Sequence, residues 1–197
     1  MVFDHTTPKF DTSRLTECNW LEFYPDAKEE EPPNAPELCG CEVHMTCFVD
    51  ADHAGCRETQ RSHTGIIIYM QRTPVVWYSE RQNTVESSTF GSEFVAMKTA
   101  VKQVEALRYK LWMMGVPVDG PTSVFCDNKS VFKNSTWPES TLKKMHNTIA
   151  YHQTCEAIAA GIIICVAWEE EQFNLADVLT KLMPGPKFRD LVSCILY

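Results

Sequence analysis

Phe48-Val49-Asp50-Ala51-Asp52-His53-Ala54-Gly55 closes an apolar, β-prone run that begins at Val43. The run stops on two carboxylates, a histidine and a glycine. A strand that ends on an acid ahead of a small-residue turn holds that acid at the edge of a sheet. Asp is poor inside strands and good at their ends, where its side chain bonds turn amides. Taken alone, the stretch therefore reads as an ordinary Asx turn. Three further acids at comparable junctions downstream change that reading, because a group of acids with no shared basic partner points to a divalent cation.

Working outward, Val43–Val49 is the first expected strand. Thr64–Met70, dense in β-branched residues, is the second. Pro74–Ser79 is the third, with Gln71-Arg72-Thr73 as a short hairpin turn, which predicts an antiparallel meander. A long helical stretch starts at Ser87-Ser88-Thr89, where Ser88 or Thr89 is a natural N-cap. Its apolar face is Phe94, Met97, Val101, Val104, Leu107 and Leu111, at spacings of three and four. Gly115 and Pro117 stop it, and a break near Lys102 is expected to divide it into two helices. Thr122–Asp127 is a fourth strand, again ending on an acid. Asn128–Ser135 is a short helix, and Thr141–Ala160 another, closed by Gly161. Gly161–Trp168 is a fifth strand, hydrophobic throughout and so expected to be buried on both faces. Phe173–Leu182 is the last expected helix, ended by Pro184-Gly185-Pro186. This order predicts an α/β fold, a mixed five-stranded sheet of three antiparallel and two parallel strands, with helices on both faces.

The rest of the chain bounds the problem. At 197 residues it suits one domain plus appendages. The Pro- and acid-rich residues 1–38 read as a lead-in, 39–182 as the domain, and 183–197 as a tail. In the lead-in only Trp20-Leu21-Glu22-Phe23-Tyr24 has the aromatic content to dock on a core, as a short helix or a clamp. Nine cysteines, scattered and without a signal peptide or membrane span, predict reduced thiols in an intracellular, cytoplasmic or nuclear setting. The net charge of −8 is concentrated in residues 1–45, with ten acids against three bases; residues 46–197 hold sixteen against fifteen. With four of those sixteen set aside for metal, the remaining surface is mildly basic and compatible with phosphate contact.

The four acids are Asp50 at the end of the first strand, Glu93 inside the long helix, Asp127 at the end of the fourth strand, and Asp177 at the start of the last helix. Parallel strands carry functional side chains at their carboxyl ends, so Asp50 and Asp127 are expected side by side. Clustered carboxylates repel one another unless cations neutralise them, and Mg²⁺ prefers such oxygen donors.

Val49-Asp50-Ala51-Asp52-His53-Ala54-Gly55, Ser87-Ser88-Thr89 with Glu93-Phe94-Val95-Ala96, Cys126-Asp127-Asn128-Lys129-Ser130 and Leu175-Ala176-Asp177-Val178-Leu179-Thr180-Lys181 together resemble the ribonuclease H domain of copia-type retrotransposon polyproteins. Lys144-Met145-His146 and Tyr151-His152 are similar to that family's helix before the last strand. The likeness covers residues 42–182, and the lead-in looks like the segment joining such a domain to the polymerase part. It implies a monomeric endonuclease with no small-molecule cofactor, cutting the RNA strand of an RNA–DNA hybrid to leave a 5′-phosphate and a 3′-hydroxyl. It further implies two Mg²⁺ ions, with Mn²⁺ as a substitute, held by Asp50, Glu93, Asp127 and Asp177. Ser88 or Thr89, at a helix N-terminus, is the implied contact for a DNA phosphate, and Asn128 a further substrate contact.

The chain also departs from the pattern. The loop Trp168-Glu169-Glu170-Glu171-Gln172-Phe173 lacks the mobile histidine of many cellular ribonucleases H, and His53 stands where copia-type relatives usually have Trp. Asp52 is expected to cap its turn and His53 to be an exposed turn residue. Cys39, Cys41, His44 and Cys47 have zinc-like ligand types but cramped spacing, and alternation points His44 and Cys47 to opposite faces. Trp77, Trp112 and Trp168 read as core, and Lys98, Lys102, Arg108 and Lys110 either as a solvated helix face or, equally, as phosphate contacts. A second class of function stays open: a domesticated or degenerate ribonuclease H fold that binds nucleic acid or protein without cutting. No polymerase motif is present.

Overall fold

The computed structural model describes residues 19–136, 148–168 and 174–196. β1 (Met45–Ala51), β2 (His63–Met70) and β3 (Thr73–Arg81) form the expected antiparallel meander. β4 (Thr122–Cys126) lies parallel to β1 on its other side, and β5 (Ile163–Trp168) parallel to β4. The order across the sheet is β3-β2-β1-β4-β5. The strands carry the fold because they alternate two apolar sets. Met45, Cys47, Val49 and Ala51 join Ile66 and Ile68 in the main core, while Phe48, Tyr69 and Phe125 meet on the other face, Phe48 and Phe125 stacked at 5.0 Å.

The main core is roofed by α1 (Thr89–Met113), whose Phe94, Met97, Val101, Val104 and Leu111 are all buried. The expected break near Lys102 does not occur, and α1 is one helix of 25 residues. After Gly91 in its first turn no Gly or Pro interrupts the helix, and the three-and-four apolar series runs straight past Lys102, so nothing offsets continued backbone bonding and burial. Ser88 caps it, its Oγ accepting from the Gly91 amide, and Gly115 leaves it at φ +72°.

α2 (Lys129–Thr136) and α3 (Thr148–Ala159) complete that layer, α3 packing on α1 and followed by Gly161 at φ +70°. The first part of the expected 141–160 helix, with Lys144, Met145 and His146, lies outside the described residues. So does the 169–173 loop.

The end of the chain differs from expectation. In place of a helix reaching Leu182 there is a short 3-10 turn, Leu175–Leu179, and then a helix where a tail was expected, α4 (Gly185–Leu196). Pro184-Gly185-Pro186, expected as a stop, is a start. Pro lacks only an amide that the first helical turn leaves unbonded anyway. The 3-10 turn packs on β1 and β2, and α4 packs on the turn, so helical segments stand on both sides of the sheet.

The described part of the lead-in is docked. Trp20 heads a 3-10 turn (Trp20–Glu22) and is buried, with Nε1 donating to the Ser135 carbonyl at 3.0 Å and its ring edge-on to Tyr151. Arg108, expected on a solvated helix face, is only 3 % exposed. It forks onto Glu29 at 2.6 and 2.7 Å and donates to the Gly120 carbonyl. Trp77, expected in the core, is 71 % exposed on β3, because β3 is an edge strand with one face uncovered. No helix among the described residues is long and apolar enough to cross a membrane.

Candidate active site

The parallel pairing of β1 with β4 fixes the centre of the site. Val49 pairs with Cys126, so the next residue of each chain, Asp50 and Asp127, emerge together at the carboxyl ends of adjacent strands. Asp50 shares the Phe48 face by alternation, toward the 3-10 turn. That turn brings in Asp177. One oxygen from each of Asp50, Asp127 and Asp177 lies within 4.8 Å of the others, although the three residues are far apart in sequence.

The turn is held there by residues that the motif reading passed over. Asn174, fully buried, accepts from the Ala176 amide through Oδ1 and donates from Nδ2 to the Val49 carbonyl at 2.9 Å, tying the turn to β1 next to Asp50. Gly65 is the β2 residue directly opposite Asp50. A Cβ there would stand 2.7 Å from Thr180 Cγ2 and 2.8 Å from the Ala176 carbonyl oxygen. Only glycine lets the turn approach so closely. Thr180 Oγ1 then donates to Asp50 Oδ2.

Glu93 reaches the site from the first turns of α1. It is not within the 4.8 Å group, but it is buried beside it, and its carboxylate accepts from the Ala51 amide. Burial, with Asp50 and Asp127 adding repulsion, holds its carboxyl well above the usual range. Burial likewise raises Asp50, against the pull of Lys181 and the Thr180 hydrogen bond. Gln82 fixes where α1 begins. Its buried Nε2 donates to Thr64 Oγ1 on β2 at 3.0 Å and to the Ser92 carbonyl, next to Glu93, at 2.8 Å.

The premise that the acids share no basic partner is overturned. Lys181 Nζ stands 2.8 Å from Asp177 Oδ1, 3.3 Å from Asp50 Oδ1 and 3.8 Å from Asp127 Oδ2. Lys187 Nζ, from α4, is 3.6 Å from Asp177 Oδ2. Lysine follows Asp177 by four residues, a spacing that pairs opposite charges on a helical turn, and this was the available signal. An isolated glycine in a strand, Gly65, was the other.

The remaining site candidates are peripheral to this cluster. Ser88 caps α1, and Thr89 is exposed at its first turn. Asn128 caps α2, its Oδ1 accepting from the Ser130 and Val131 amides. Asp52 closes the β1–β2 loop as expected, accepting from the His63 amide, and His53 is exposed. Cys39 and Cys41 are exposed while Cys47 is in the core, and the three acids are the only metal-type grouping among the described residues.

No protein-family profile matches the chain. It is 25% identical over 156 residues to the retrovirus-related Pol polyprotein from transposon RE1 of Arabidopsis thaliana, covering 79% of this chain and 11% of that one. It is 28% identical over 156 residues to the Pol polyprotein from transposon TNT 1-94 of Nicotiana tabacum, covering 77% and 11%. The chain thus spans about a tenth of the length of the curated relatives it matches. Among solved structures, an N-terminal ribonuclease H domain from Mycobacterium tuberculosis superposes at a TM-score of 0.54 with 13% identity, over 77% of this chain and 98% of that one. A ribonuclease H1 solved in complex with an RNA/DNA hybrid also gives 0.54, with 14% identity over 69% and 93%. The chain has a ribonuclease H-like fold and is similar in sequence to the Pol polyproteins of copia-type retrotransposons, which bears out the resemblance in its motifs.

Proposed function

We propose that the chain is a metal-dependent endonuclease that hydrolyses the RNA strand of RNA–DNA hybrids, acting as a monomer in the cytoplasm or nucleus through residues 39–182. The observation that carries this reading is the convergence of Asp50, Asp127 and Asp177 from three distant chain segments onto one point, with Glu93 buried beside them.

The donor set fits the implied ions. It is carboxylate oxygen throughout, the hard ligand type that suits Mg²⁺ or Mn²⁺. Two raised carboxyls and an ammonium drawn into the group are both signs of a cluster that requires positive charge. Asp50, Glu93, Asp127 and Asp177 are the residues that would hold two such ions. When bound, the ions would supply an activated water and neutralise the charge that develops on the phosphate.

The chain's own residues do the positioning. Thr180 and Asn174 fix Asp50 and the Asp177 turn, Gly65 admits that turn, and Gln82 sets the start of α1 and with it Glu93. Thr89 and the α1 N-terminus capped by Ser88 would take a backbone phosphate of the DNA strand. With Oδ1 of Asn128 engaged in capping, its substrate contact falls to the side-chain amide nitrogen.

One observation favours the second reading, a non-cutting binding module: Lys181 already pairs with the acids without metal. The two readings separate in a gel assay of purified protein on hybrid, double-stranded RNA and double-stranded DNA, with Mg²⁺ or EDTA. The nuclease reading expects Mg²⁺-dependent cutting of hybrid above double-stranded RNA, little cutting of double-stranded DNA, and steep loss with salt, because the few phosphate contacts of a near-neutral domain are screened. Retention of hybrid without cutting, with or without Mg²⁺, would instead establish the binding module.

A further inference from the structure

We propose that Lys181 is a displaceable internal cation: its ammonium holds the acid cluster together in the metal-free protein and must leave before a divalent ion can bind. This rests on the metal site proposed above.

The geometry makes the two cations mutually exclusive. Lys181 Nζ contacts Asp177 Oδ1 at 2.8 Å and Asp50 Oδ1 at 3.3 Å and stands 3.8 Å from Asp127 Oδ2, so it occupies the point toward which the three carboxylates converge. Asp50, Asp127 and Asp177 would hold a divalent ion through the carboxylates that the ammonium already engages, and two cations held by the same carboxylates repel one another.

Lys181 has both reason to stay and room to leave. Its partners Asp50 and Asp177 are buried carboxylates, whereas its own side chain is 38 % exposed on a flexible four-carbon stem. It lines a groove beside the cluster with Asp52, Gly55, Cys56, His63 and Arg81, where the released side chain can lie. Lys187 pairs with the other oxygen of Asp177, Oδ2, at 3.6 Å.

Two consequences follow. In the metal-free protein Lys181 offsets part of the repulsion among Asp50, Asp127 and Asp177. Metal affinity is also lower than the acids alone would give, because each binding event breaks the lysine's charge-assisted hydrogen bonds.

The test titrates MgCl₂ into the full chain by calorimetry, comparing the parent with Lys181→Met, which keeps the stem and removes the charge. Breaking such bonds corresponds to about tenfold or more in affinity, so Lys181→Met is expected to bind Mg²⁺ at least tenfold tighter and to melt at a lower temperature without metal. A parallel measurement on the unmodified parent covers the case in which the variant does not fold. Brief amine acylation, read by peptide mass spectrometry, is expected to leave Lys181 unlabelled without metal and to label it at saturating Mg²⁺. Equal or weaker Mg²⁺ binding by a folded Lys181→Met, or Lys181 labelling that ignores Mg²⁺, overturns the proposal while leaving the metal site standing. Absence of Mg²⁺ binding to either protein overturns the metal site itself, and this proposal with it.

Discussion

Gly65→Ala probes how closely the 3-10 turn must approach the sheet. The added methyl would stand 2.7 Å from Thr180 Cγ2, 2.8 Å from the Ala176 carbonyl oxygen and 3.0 Å from Leu179 Cβ. A side-chain tip can rotate away, but the carbonyl belongs to backbone pinned by Asn174 to Val49. The turn must therefore lift off β2 as a unit. Overpacking of this kind costs about 1–3 kcal/mol. For a chain of this length that lowers the melting temperature by about 2–12 °C. Because the displaced turn carries Asp177, Thr180 and Lys181, the same substitution is expected to weaken Mg²⁺ binding, which a buried alanine elsewhere would not do. Differential scanning fluorimetry with a Mg²⁺ series reads both effects in one experiment. A Gly65→Ala protein that melts within a degree of the parent and shows the same Mg²⁺-dependent rise would refute the close approach.

Other expectations follow from the remaining contacts. Glu29→Ala leaves the Arg108 guanidinium buried without its fork, and is expected to lower stability by about 3 kcal/mol in urea denaturation; a change below half that would mean the lead-in is not part of the folded unit. Ser88→Ala removes the α1 cap and is expected to cost about 1 kcal/mol and to raise the apparent KM on hybrid with little change in kcat; a pure kcat effect would exclude a positioning role. Glu93 has a raised folded carboxyl, so the folded state prefers it protonated. The stability this gives is present below its ordinary value of 4.5 and is lost as pH rises through the raised one. Metal-free Glu93→Gln is therefore expected to flatten the fall in melting temperature above the ordinary carboxylate range, and an unchanged pH profile would show that Glu93 ionises normally.

What the sequence disclosed and what it withheld divide along physical lines. The five strands were legible because each is a short β-branched run bounded by turn residues, and Asp50 beside Asp127 followed from strand ends alone. Asp177 was legible as a motif, but its 3-10 turn was not. Leu175–Leu182 has the composition of a helix, and the turn is cut short by tertiary contacts: Asn174 to Val49, Thr180 to Asp50, and the space left by Gly65. α4 was missed because Pro184-Gly185-Pro186 serves equally as a stop or a start. The continuous α1 was legible in its apolar series at spacings of three and four, which runs unbroken past Lys102 and contradicts the expected break. Arg108 was assigned to solvent because its partner Glu29 lies 79 residues away, beyond any local pattern. Lys181 stands in the Leu175–Lys181 motif, and its four-residue offset from Asp177 is itself enough to predict the pair.

The most direct test of the central claim is a single-turnover cleavage assay on an RNA–DNA hybrid labelled separately on each strand, with Mg²⁺, comparing the parent with a folded Asp127→Asn. The account predicts that the parent cuts the RNA strand alone, leaving 5′-phosphate and 3′-hydroxyl ends, and that Asp127→Asn cuts neither strand above background. A folded, Mg²⁺-binding parent that leaves the hybrid intact, or an Asp127→Asn protein that cuts as the parent does, would contradict it.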